Sequence, residues 1–315
     1  MEENTKKQDF LGTEPVGKLL FKLALPAIAA QLINVLYSVV DRIYLGRLPG
    51  HLALTGLGLT LPIISIVMGF ANLCGTGGAP LCSIYRGKGE EEEAERIMGN
   101  AFTLLLIFGA AVTGVFLLFR HPLLYLFGAS DATYPYAEAY MTIYLLGTVF
   151  VMIGLGMNPF ITSQGFGRTG MMTVGLGAVV NIVLDPVFIF ALDMGVRGAA
   201  LATLIARVVE MALMLVFCFL PSSPLRGRLR EYISFTPAFT GKVLLKTLPI
   251  LLNESCWVVG TMLYVRAYGH IGTHAIAASQ ICNTVQNLFM VACFSLASSS
   301  LVMIGNQIGA GRREQ

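Results

Sequence analysis

Charge is what this sequence has least of. Of its 315 residues only 12% are Asp, Glu, Lys or Arg, where a soluble domain carries roughly a quarter. A soluble globular chain and a charged disordered tail are both excluded. The formal net charge of +3 is too small a balance to indicate nucleic acid, and no nucleic-acid partner is expected. Cysteine and histidine are also sparse and badly placed for chemistry. Cys74, Cys82, Cys218, Cys256, Cys282 and Cys293 all fall in apolar segments, with no C-x-x-C pair and no histidine grouping beside them. That pattern argues against a disulfide framework and against a zinc site. His51, His121, His270 and His274 lie near the ends of apolar runs and form no metal constellation. No nucleophile with a base, no ligand set and no cofactor loop is present, so an enzyme is not expected. Glycines are plentiful, but "QGFGRTGMMTVGLGAVVN" follows no strand, which removes the phosphate-loop reading. These glycines, and Gly56, Gly58, Gly69, Gly75, Gly77 and Gly78, read instead as close helix packing.

What the chain has in excess is apolar length. Hydrophobic residues make up 55% and the mean hydropathy is +0.72, with runs of roughly 20 residues recurring, enough for a helix to cross a bilayer. Residues 1 to 17 are polar and no small-residue cleavage site follows the first run near Leu19. The first span is therefore expected to be its own insertion signal rather than a cleaved peptide. Eight spans are predicted, at roughly 20–46, 52–85, 98–119, 134–158, 168–192, 196–220, 242–266 and 274–308. The second is longer than one crossing requires but too short for two crossings and a turn. Keeping it whole leaves fifteen Lys and Arg on one side, among them Lys6, Lys18, Arg86, Arg168, Arg226 and Arg312. The other side holds five: Arg42, Arg47, Arg120, Arg197 and Arg266. The positive-inside rule makes the first side, with both termini, cytoplasmic.

The chain also repeats itself. "LPAIAAQLINVLYSVVDRIYLG" from Leu25 is echoed by "LPILLNESCWVVGTMLYVRAYG" from Leu248, with Pro26 and Pro249, Gly46 and Gly269, and His51 and His274 all at an offset of 223 residues. Further on, Gly87 and Gly89 find partners in Gly309 and Gly311 at an offset of 222. Six spans separate the copies, so the repeat is parallel. The expected organisation is an N-terminal six-helix lobe at 1–220, a cytoplasmic inter-lobe linker at 221–241, and the first two helices of a C-terminal lobe at 242–315. A second copy as complete as the first would add four more spans.

Polar residues inside the spans are few and ordered. Gln31, Asn34, Ser38 and Asp41 form one narrow stripe on the first span. Pro26, about a turn before that stripe, lacks a backbone donor and is a candidate hinge. In "NIVLDPVFIF", Asn181 and Asp185 are four apart and share a helix face. Pro186 cannot donate to the carbonyl of Ile182, which is left free beside the carboxylate. A carboxylate at mid-bilayer costs roughly 2.5–3.5 kcal/mol on insertion scales. Asp41 and Asp185 are therefore read as titratable coupling groups. Thr203 is an interhelical donor, and Glu254 a third intramembrane acid nearer a span end. Gln280, Asn283, Thr284 and Asn287 make a second polar stripe, on the eighth span, expected to face the first across a cleft. The acidic run Glu90–Glu93 reads as a solvated loop.

The segments "QLINVLYSVVDRIYLGRLPG", "YRGKGEEEEA", "QGFGRTGMMTVGLGAVVNIVLDPVFIFALDMGVRGAALAT" and "NQIGAGRRE" resemble the multidrug and toxic compound extrusion (MATE) family of antiporters, prokaryotic type. The likeness covers nearly the whole chain, and Asn-x-x-x-Asp-Pro followed by Gly-Val-x-Gly-Ala-Ala is its most specific part. The resemblance implies an all-α polytopic membrane protein with a twelve-helix, two-lobe architecture, of which eight transmembrane helices fall in this chain. It implies export of small organic cations across the cell membrane by a monomer, in exchange for H+ or Na+, with no other cofactor. It places the coupling site on Asp41, Asn181, Asp185 and Thr203, where a sodium ion would sit if sodium is the coupling ion. Gln31, Asn34, Glu254, Gln280, Asn283 and Asn287 would line the substrate cavity. The alternatives are a lipid or lipid-linked oligosaccharide flippase, whose cavity should carry Arg and Lys for pyrophosphate, and a non-transporting receptor or scaffold. Arg207 is the single cation inside a span, which disfavours the flippase.

Overall fold

The computed structural model describes residues 15–48, 52–219 and 273–311, with Gly241, Pro249, Leu252, Asn253, Cys256, Gly260, Leu263 and Tyr264. Among these, every regular element is helical. In order they are α1 (Val16–Gly46), α2 (Leu52–Gly87), α3 (Glu91–Leu118), a short α4 (Arg120–Leu126), α5 (Tyr134–Leu146) and α6 (Thr148–Ser163). They continue with α7 (Gly167–Pro186), which runs into a π-helical turn at Val187–Ala191, then α8 (Val196–Phe219) and α9 (Thr273–Gly309). The chain is an all-α polytopic membrane protein. Six of the helices are long and apolar enough to cross a bilayer, and α5 with α6 makes a seventh crossing if that bent pair counts as one. The expected span at 242–266 lies outside the described residues except at isolated positions.

Two expected spans differ in detail. The straight fourth span is broken into α5 and α6 with a 59° bend at Gly147. A side chain at Gly147 would strike Leu204 of α8, so the missing Cβ lets α8 press into the break. The fifth span does not end as a regular α-helix. Beyond Pro186 its last turn widens, with Leu192 N–H donating to the Val187 carbonyl at 2.9 Å, as a chain that has lost a donor to proline can do.

Burial is inverted relative to a soluble bundle. Leu25, Leu32, Leu36 and Ile43 of α1 and Leu176, Val179 and Val183 of α7 all face outward. A bilayer tolerates such apolar faces, and the helices satisfy their own backbone groups. Inside, close approach replaces hydrophobic drive. A Cβ on Gly75 would stand 2.6 Å from the Gly156 carbonyl oxygen, and one on Gly78 would stand 2.6 Å from the Phe160 ring. Those contacts let α2 run down α6 in the centre of the lobe, with α3, α5 and α9 around it. Among the described residues, Gly58 and Gly69 meet nothing.

Helix ends follow from local chemistry. Gly89 (φ +79°) closes α2: Glu90 N–H reaches back to the Tyr85 carbonyl and Gly89 N–H to Arg86, a left-handed helix stop that only glycine adopts without strain. Glu91, Glu92 and Glu93 then occupy the first turn of α3, where carboxylates favour the positive end of the helix dipole. At the far end of the chain, α9 crosses α2 through Gly309 and Gly87, with a Gly309 Cβ falling 3.0 Å from the Gly87 Cα. These two glycines are partners in the internal repeat.

The connection into α8 is the most constrained. A Cβ on Gly198 would lie 2.7 Å from both the carbonyl carbon and the carbonyl oxygen of Phe188, backbone atoms that cannot step aside. Gly198→Ala should therefore destabilise the protein by about 1–3 kcal/mol, as over-packed sites do. It should also displace Thr203, just over one turn further along α8. Thermal melting of the purified protein in detergent measures the first effect; an unchanged melting temperature would show that α8 can shift freely.

Candidate functional site

The lobe interior contains one concentration of buried polar groups, where α1, α5, α7 and α8 meet. Asp185 of α7 is 0% exposed, Asn181 one turn earlier 1%, and Asp41 of α1 8%. Asn181 and Asp185 share the inward face as their spacing requires. The Asn181 amide donates to Asp185 Oδ1 at 3.4 Å and to Thr203 Oγ1 of α8, also at 3.4 Å. Tyr140 of α5, 4% exposed, is buried in the same interior. Asp41 lies within electrostatic range of both Asp185 and Tyr140. The four residues singled out by the resemblance thus come together, with Tyr140 as a fifth member.

Neither carboxylate is saturated. Asp41 Oδ1 and Asp185 Oδ2 have no hydrogen-bond partner, and nor does Asn181 Oδ1. Two facing carboxylates in a low-dielectric interior repel each other when both are charged. Orphaned buried acceptors also carry a desolvation cost. A proton or small cation relieves both at once, so the residues present fit a cation. This is the chemistry the arrangement can perform: bind one positive charge and change the local field as it leaves.

Beside the carboxylates is a buried pair that the sequence reading missed, having taken Arg207 as a lone cation. Arg207 and Glu210 of α8 form a buried ion pair at 2.6 Å, and the same guanidinium donates to the Tyr37 hydroxyl of α1. Both charges sit at helical i, i+3 spacing in an apolar helix. That spacing is the signal which, weighed, would have revealed the pair. Tyr37, an aromatic in an oily span, gave no such signal.

The remaining expected site residues are scattered. Asn34 is part-buried and faces the same interior, while Gln31 is exposed. Ser38 turns back onto its own helix, donating to the Asn34 carbonyl at 2.8 Å. Pro26 is buried within a helix that continues through it, and Gly167 of α7 packs against its ring. Glu254 and the side chains of Gln280, Asn283, Thr284 and Asn287 lie outside the described residues. Among the described residues no group of His, Cys, Asp and Glu could hold a metal as three or more ligands.

Comparison with known proteins bears on this arrangement. The MatE family model matches residues 26–187 and 249–315. The chain is 24% identical over 318 residues to the FAD transporter of Shewanella oneidensis, covering 98% of this chain and 69% of that one. It is 27% identical over 267 residues to the multidrug export protein MepA of Staphylococcus saprophyticus, covering 81% of this chain and 57% of that one. The chain thus spans between about half and two thirds of these relatives. The crystal structure of a MATE P26A mutant superposes with a TM-score of 0.89 over 97% of this chain and 69% of that one, at 24% identity, a likeness of fold.

Proposed function

The chain belongs to the MatE family, and from that premise we propose that it carries the ion-coupling lobe of a secondary antiporter that exports organic cations in exchange for H+ or Na+. The observation that carries the reading is the pair of buried carboxylates, Asp41 and Asp185, each with an oxygen that no donor among the described residues reaches. Charges held so expensively inside a bilayer mark ion pathways. The pair is built from two helices, α1 and α7, that pack directly on each other. Neutralising it therefore changes how α1 sits against α7.

Asn181 would hold the ion from the α7 side and Thr203 from α8. Asp41 would close the site from α1. A bound ion can drive transport only if it prefers one conformation, and α1 is the element able to supply that difference. Pro26 leaves one of its carbonyls without a donor, so α1 can bend there. The protein would act as a monomer in the cell membrane with its N-terminus cytoplasmic.

A cargo rich in negative charge, such as the name of the Shewanella relative suggests, has less support. Among the described residues Arg207 is the one buried base, and it is already committed to Glu210 and Tyr37. The test is uptake of a fluorescent organic cation by proteoliposomes of the full-length protein under an imposed pH gradient, and separately under a sodium gradient. Drug movement driven by one of the two is the expected result and identifies the coupling ion. If neither gradient moves the dye, the antiport reading is wrong and a flippase or a non-transporting receptor takes its place.

A further inference from the structure

Away from the buried polar groups, exposed cations gather at one end of the seam between α1 and α7. The two helices run side by side and in the same direction. A Cβ on Gly167 would stand 3.7 Å from the Leu23 carbonyl oxygen and 3.6 Å from Pro26 Cβ, and further along a Cβ on Gly175 would stand 3.7 Å from Ile33 Cδ1. The amino ends of both helices therefore lie on one side of the membrane, the side that the Lys and Arg asymmetry makes cytoplasmic.

The close contact at Gly167 fixes what stands beside it. Lys22 precedes Leu23, Arg168 follows Gly167, and both are exposed. Helical spacing puts Lys18, Lys22, Leu25, Leu32 and Leu36 on one stripe of α1, whose apolar members face outward. Arg168, Met172, Leu176 and Val179 make the matching stripe of α7, and its apolar members face outward too. The core-facing side of α1, with Leu19, Leu23 and Asp41, lies across the helix from these lysines. Each stripe is thus apolar where it meets the bilayer interior and ends in cations where it meets the headgroups.

Two chemistries meet on this surface. Arg168 offers a planar fork of N–H donors that matches phosphate oxygens, and Lys22 adds a point charge beside it. Neither α1 nor α7 has an acidic residue in its first turn, so their dipoles present positive ends at the same place. A free phosphate would use only the cations, whereas a phospholipid uses the cations and the apolar stripes below them. We propose that this end of the α1–α7 seam binds an anionic phospholipid, with its phosphate between Lys22 and Arg168, Lys18 one turn nearer the helix start, and its acyl chains along Leu25 and Met172. A bound lipid would tie the first turns of α1 to α7 just before Pro26. The site goes beyond the antiport reading and is tested by binding, without transport.

The experiment is native mass spectrometry of the purified full-length protein titrated with phosphatidylglycerol and, separately, with phosphatidylcholine. Saturable retention of phosphatidylglycerol in preference to phosphatidylcholine is expected. Lys22→Gln/Arg168→Gln should weaken that retention at least about tenfold, as the loss of two interfacial cations implies. Lys88→Gln/Arg96→Gln removes the same charge around the α2–α3 connection and should leave it unchanged. Lys22→Arg keeps the charge and should keep the lipid, and a monodisperse gel-filtration peak for each variant confirms that folding is intact. Equal weakening by the two double variants would mean diffuse attraction to the membrane and overturns the proposal. Equal retention of the two lipids overturns it as well. Displacement of phosphatidylglycerol by inorganic phosphate would assign the cations to a soluble anion instead, with the same consequence.

Discussion

Asp185→Asn is expected to reduce gradient-driven export to the level of protein-free liposomes, and Asp41→Asn to do the same. Asparagine keeps the shape of each side chain and its acceptor for the neighbouring donor, so Asn181 can still bond at position 185. What it removes is the ability to take up and release a positive charge. The fold should not suffer, because replacing one of two facing carboxylates also removes their repulsion. The expected melting temperature in detergent is therefore equal to or above that of the unsubstituted protein. Both substitutions belong to one ion site, so the double variant should be no worse than either single one, as residues acting as a unit are not additive. Native-rate export by both single variants would falsify the coupling role of the pair.

Arg207→Ala has the largest expected effect on stability. The guanidinium is buried and bonds Glu210 and the Tyr37 hydroxyl, so it holds charge neutrality and ties α8 to α1. Truncating it leaves Glu210, 2% exposed, as an uncompensated buried charge. Breaking such a pair costs about 3–5 kcal/mol, whereas exchanging both partners for apolar residues of similar volume is often neutral. Arg207→Ala should therefore aggregate or elute as misfolded protein in gel filtration. Arg207→Met/Glu210→Met should recover a monodisperse peak. If the double substitution fails as badly as the single one, the pair is held for more than charge balance, and the Tyr37 link becomes the element to test next.

Much of this was written in the chain before any folding. The low charge content and continuous apolar runs determined a polytopic helical protein, because a helix satisfies its own backbone hydrogen bonds in lipid, whereas barrel strands are shorter and alternate. Helical periodicity put Asn181 and Asp185 on one face, and the rarity of acids inside spans marked Asp41 and Asp185 as groups with a purpose. The repeat of Pro26 by Pro249 and of Gly87 by Gly309 predicts two related lobes.

Other features depended on contacts between residues distant in sequence, which periodicity along one helix cannot encode. The break at Gly147 exists because Leu204, far along the chain, fills it. Tyr140 joins the site only because that bend and the tight Gly198 crossing bring α5 and α8 together, and Tyr37 is polar in effect only because Arg207 reaches it. Of the two polar residues that open the first stripe, Asn34 turns into the lobe and Gln31 faces out. Sequence determines which residues are costly to bury; tertiary packing decides which of those costs are met by a neighbour, and the oxygens left unmet are where a cation can bind.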